Sequence, residues 1–150
     1  MRILILGTSN SLRKGGWVAG LATTLPSAEI VNQSLGGAPS IQFALKMQTD
    51  FAQFDFVIFD ALVNDQNLGA PVGRLPRLGM HLFEIMSTIA GSSRLIVLGL
   101  PTLPQLENET NIQRLHRDTA SLVGGQFVSV QQPASVARPA AMPRYQARRP

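Results

Sequence analysis

The sequence predicts an α/β protein, a doubly wound three-layer sandwich on a mostly parallel five-stranded sheet. Three observations predict it. Short apolar runs of strand length alternate with stretches of helical periodicity over the first 130 residues. Two of those runs, residues 54–59 and 94–98, are apolar almost throughout. That is the pattern of strands covered on both faces of a parallel sheet. Finally, three predicted strands end in small polar or glycine-containing turns, where open α/β sheets place their ligands.

The first strand is residues 2–6, closed by Gly7, and a helix over about 15–25 follows it. A second strand spans 28–33 and leads to the turn Ser34-Leu35-Gly36-Gly37-Ala38. A helix over about 40–50 connects it to a third strand at 54–60, which ends at Leu62-Val63-Asn64-Asp65. Leu75, Leu78, Leu82, Ile85, Met86 and Ile89 recur at helical spacing, so 75–90 is a helix with one core-facing stripe. The fourth strand is 94–99. A helix over 108–123 has Asn108 as its candidate N-cap and Gly124-Gly125 as its stop. The fifth strand is 126–130. Strands alternating with helices imply right-handed crossovers.

Composition bounds the rest. A chain of 150 residues, 45% apolar, makes one domain. No apolar stretch approaches the ~20 residues of a membrane span, and Met1 runs straight into a strand rather than a signal peptide. Cysteine is absent, which excludes disulfides and thiolate chemistry and favours the cytoplasm. The net charge of +4 is confined to Arg138, Arg144, Arg148 and Arg149, because residues 1–137 are balanced. No basic stripe with interleaved aromatics marks the body, so neither nucleic acid nor membrane is an expected partner. The expected organisation is a domain over 1–132 and a tail over 133–150. The tail holds four prolines, four arginines and five alanines, and is expected to be disordered. Either it is a natural flexible end, or the fold stops short of a final helix.

Three strand ends carry the candidate chemistry. Gly7-Thr8-Ser9-Asn10-Ser11 offers hydroxyls and backbone N–H groups after the first strand. Ser9 is either a nucleophile or a helix N-cap. Gly37 either lets backbone approach a ligand or simply forms a turn. Asn64 either points its amide at a ligand or closes an Asx-turn. Asp65 is an acceptor with a turn-capping role. Arg13-Lys14 suits an anionic substrate or a solvated loop, and Trp17 suits a sugar pocket or packing.

In order and spacing these motifs resemble the SGNH hydrolase superfamily, also called GDSL-like esterases, over about residues 1–130. Gly7-Thr8-Ser9 stands at the family's Gly-Asp-Ser block, with Thr8 in place of aspartate. Gly37 matches the glycine of the second block. Asn64-Asp65 matches the Asn-Asp of the third, with Leu62 in place of glycine. The resemblance implies a flavodoxin-like fold and a serine esterase acting on acyl or acetyl esters, including esters on carbohydrate. Its catalytic residues would be Ser9, Gly37 and Asn64, with no cofactor and no metal.

The family's late Asp-x-x-His block is missing. Of the two histidines, His81 lies within the 75–90 helix and His116 in Gln113-Arg114-Leu115-His116, and both read as solvated helix residues. Without a base the serine is a poor nucleophile, so the chain is expected to be weakly active or inactive. Two other classes stay open. One is a non-catalytic small-molecule or glycan-binding module. The other is a phosphate or flavin binder seated on the Thr8-Ser9-Asn10-Ser11 turn.

Overall fold

A computed structural model of the chain describes residues 1–67, 75–100 and 109–129. In chain order it contains β1 (Arg2–Leu6), α1 (Trp17–Thr24), β2 (Glu29–Asn32), β3 (Phe56–Phe59), α2 (Leu62–Asn67), α3 (Leu75–Ala90), β4 (Arg94–Gly99), α4 (Asn111–Leu122) and β5 (Gln126–Ser129). The five strands form one sheet in the order β2-β1-β3-β4-β5. Every pairing is parallel, as in Leu4 beside Val31 and Val57, and Val57 beside Leu95.

Alternation along the strands sorts side chains onto two faces. Leu4, Leu6, Val57, Phe59, Leu95 and Val97 point to one face, where they pack with Leu82, Ile85, Met86 and Ile89 of α3 and with Ala120 of α4. The α3 stripe is the one its sequence period predicts. Ile3, Ile5 and Ile58 point to the other face, against Trp17, Val18 and Leu21 of α1. Trp17 is thus a packing residue. No helix among the described residues is long and apolar enough to cross a membrane.

The predicted strands are all present, with β2 and β3 each trimmed to four residues. Two helical expectations change. Residues 40–50 form 3-10 turns over Ser40–Lys46 and Phe51–Gln53 instead of one α-helix. The Asp50 carboxylate accepts from the Ala52 N–H at 3.2 Å, which starts a new turn where a helix would have continued. The second change is α2, a short helix over the third motif where a turn was expected. Asn108 lies outside the described residues. The α4 cap is Thr110, whose hydroxyl accepts from the Gln113 N–H at 3.1 Å. Gly124, at φ +78°, follows the helix as expected. The 133–150 tail, and with it any final helix, lies outside the described residues.

This topology sets the place of the site. The chain moves from β1 outward to β2, then returns to the opposite side of β1 for β3. The carboxyl ends of β1 and β3 therefore flank a topological switch point, the usual ligand crevice of such sheets.

Candidate functional site

Ser9, Gly37 and Asn64 follow β1, β2 and β3, three adjacent strands, at the same edge of the sheet. Ser9 opens a four-residue 3-10 turn, Ser9–Leu12, and its side is exposed while Thr8 and Ser11 face inward. Thr8 makes no side-chain cap bond. Ser11, 2% exposed, donates its hydroxyl to Asp60 Oδ2 at 3.0 Å.

The β1 and β2 ends are stitched together. The Gly7 N–H donates to Ser34 Oγ at 3.0 Å, and the Leu35 N–H donates to the Gly7 carbonyl at 2.8 Å. Asn32 Nδ2 donates to the Ser11 carbonyl at 2.8 Å. Beyond Leu35, Gly37 has φ +70° and is exposed. That left-handed conformation is one L side chains rarely hold, so glycine is required by the backbone. A Cβ there would meet nothing within 4 Å, which means the main chain at Gly37 borders open space.

The β2 and β3 ends are joined through α2. Asn64 Nδ2 donates to the Ala38 carbonyl at 3.0 Å. A carboxamide has two N–H donors, so this bond fixes the group and still leaves one donor. Asp65, 1% exposed, accepts the Ser40 N–H on Oδ1 at 2.7 Å. The expected turn-capping role of Asp65 is replaced by this longer-range tie.

His116 corrects the sequence reading. It is fully buried rather than solvated, with Nε2 2.8 Å from Asp65 Oδ2. Its ring stacks on Phe59 at 6.4 Å between centroids. A helical face explains the burial: Ile112, His116, Thr119 and Ala120 are all inside. That stripe, at i, i+4, i+7 and i+8, was the available signal. His81 is half-buried on α3, with Nδ1 3.9 Å from Glu84 Oε2.

Asp60, at the end of β3, was not singled out by sequence. It is fully buried beneath the Ser9 turn. Burial, the largest influence, pushes its carboxyl above the usual range, opposed in part by Ser11, by Thr8 and by His116. Among the described residues neither Thr8 Oγ1 nor Asp60 Oδ1 has a hydrogen-bond partner. Among the described residues no group of three metal-ligating side chains converges.

No family model matches the sequence, and no curated protein matches it significantly. Solved structures do. The chain is similar to TesA, with 22% identity, a TM-score of 0.69, and coverage of 85% of this chain and 77% of that one. It is similar to the acetyl xylan esterase AlAXEase, with 15% identity, a TM-score of 0.72 and coverage of 87% and 78%. It is similar to AlinE4, an SGNH-hydrolase family esterase, with 22% identity, a TM-score of 0.58 and coverage of 85% and 74%. The chain therefore has the flavodoxin-like fold of the SGNH/GDSL esterases.

Proposed function

We propose that this chain is an SGNH-type serine ester hydrolase whose machinery is incomplete in its general base. One observation carries the reading. Ser9, Gly37 and Asn64 sit on three strand ends that hydrogen bonds tie into one edge, on a fold shared with solved esterases. In the reaction, Ser9 Oγ attacks an ester carbonyl. The developing oxyanion is held by the Ser9 N–H, the Gly37 N–H and the free N–H of Asn64. Such donors are each worth roughly 10²–10³ in rate. The substrate class is an acyl or acetyl ester on a small molecule or a glycan, and a cysteine-free chain suits cytoplasmic work.

A specific observation favours a second reading, a binding module with an inherited pocket. Both histidines have other partners, His116 with Asp65 and His81 beside Glu84. General-base help contributes typically about 10²–10⁴-fold, so turnover should be weak. The test is p-nitrophenyl acetate hydrolysis by the chain and by Ser9→Ala. A slow rate that vanishes in Ser9→Ala supports the hydrolase. A rate untouched by Ser9→Ala removes Ser9 from the chemistry and leaves the binding module.

A further inference from the structure

The ester reading assigns no task to the Asp65–His116 pair, although among the described residues it is a fully enclosed hydrogen-bonded contact beside the site. The two side chains are 1% and 0% exposed. A carboxylate only accepts hydrogen bonds, so His116 Nε2 carries the proton between them. The same carboxylate takes the Ser40 N–H on its other oxygen. One group thus joins three elements: the loop after β2, the helix α2 and the helix α4.

The consequence falls on the neighbours. Helix α2 has six residues, far fewer than a helix needs to stand alone in water. Tertiary ties must hold it. Two consecutive α2 residues supply them toward the β2 loop. Asn64 binds the Ala38 carbonyl, and Asp65 binds the Ser40 N–H. Gln66 adds a bond to Thr110 on the α4 side. Residues 38–40 and Asn64 are therefore stapled at two points, one residue away from Gly37. The orientation of the staple depends on Asp65, and His116 orients Asp65 from α4.

We propose that Asp65, aimed by His116, is a positioning residue. It sets the spacing between the Gly37 N–H and the Asn64 amide, and so the geometry of the anion-stabilising donors. This inference rests on the ester reading of Ser9, Gly37 and Asn64. Its effect belongs to the transition state, because those donors tighten on charge that develops only there.

Two variants test it. His116→Phe keeps a ring against Phe59 and removes the donor to Asp65. Asp65→Asn keeps an acceptor for the Ser40 N–H and serves as the conservative partner if His116→Phe does not fold. The first readout needs no turnover. NMR should show the Asn64 side-chain amide and the Gly37 and Ser40 N–H signals shifted in His116→Phe, and amide exchange at Ser40 accelerated, with β1 and β2 amides unmoved. In Asp65→Asn these changes should be smaller. The second readout is the split of kinetic constants for p-nitrophenyl acetate. A misplacement of about 1 Å costs up to about 10²-fold, so kcat should fall about 10- to 100-fold in His116→Phe while KM stays within about two-fold. Unshifted Asn64, Gly37 and Ser40 signals overturn the proposal. So does an unchanged kcat in a protein where Ser9→Ala abolishes turnover. If Ser9→Ala leaves turnover intact, the ester reading fails, and the NMR result alone decides whether the staple exists.

Discussion

Gly7→Ala should be among the most damaging single-methyl changes near the site. A Cβ on Gly7 would lie 2.6 Å from Ser11 Cβ, closer still to Ser11 Oγ, and 3.0 Å from Ser34 Oγ. Ser11 is 2% exposed, so its side chain is enclosed on all sides. It must leave Asp60, which then loses its Ser11 bond while remaining fully buried. A hydrogen bond to a charged group contributes about 1.5–3 kcal/mol, and forcing an extra methyl into packed structure costs about 1–3 kcal/mol. Reduced unfolded-state entropy returns about 0.4–1 kcal/mol. The net loss is about 3 kcal/mol, or roughly 6–12 °C in Tm for a chain of this size. Urea and thermal unfolding followed by circular dichroism measure it. Ser11→Gly removes both clashing atoms, so in that background Gly7→Ala should cost under about 1 kcal/mol, a coupling that a double-mutant cycle reads directly. A Gly7→Ala protein within about 0.5 kcal/mol of the parent, or a fully additive cycle, would refute the packing argument.

Asp60→Asn should stabilise the protein at neutral pH. Burial holds the Asp60 carboxyl above its ordinary range, so as pH rises through about 3.9 the unfolded chain ionises first and stability falls until the folded carboxyl follows. The advantage of the variant, read by urea unfolding at pH 7 and at pH 4, should be present at pH 7 and shrink at pH 4; a less stable variant at pH 7 contradicts this. Gly37→Ala should lose about 1–2 kcal/mol from the left-handed backbone, although no neighbour is struck. A thermal melt at or above the parent Tm would show that the loop relaxes without cost.

Strand content and order of elements were legible because β3 and β4 are apolar on both faces and α3 carries an uninterrupted stripe. The three strand-end motifs were legible as residue types at strand ends. What could not be read was local pairing across distant sequence. Whether 40–50 is one helix or two 3-10 turns depends on Asp50 capping Ala52 and on the burial of Phe43 and Phe51, and propensity does not encode that. Asp60 was invisible for a related reason. A single carboxylate after an apolar strand looks like a solvated strand end until Ser11, forty-nine residues earlier, is placed against it.

His116 shows where sequence reasoning had the signal and misread it. In Gln113-Arg114-Leu115-His116 a glutamine stands three residues before the histidine, where the SGNH resemblance implies an acid, and a helix histidine with no acid at that spacing reads as solvated. Period gives a different answer. Ile112, His116, Thr119 and Ala120 share one face of α4, and that face packs inward. A buried imidazole must satisfy at least one ring nitrogen, because an unpaired buried polar group costs about 1–3 kcal/mol. The demand for a partner therefore follows from the stripe alone. Of the acidic residues, Asp65 is the one that already sat in a motif at a strand end, and it meets His116 at 2.8 Å. The pairing also bears on the chemistry. With Nε2 bound to Asp65 and the ring fully buried, His116 has that nitrogen committed to the scaffold. His116 holds Asp65, and Asp65 holds the Ser40 N–H of the loop that carries Gly37.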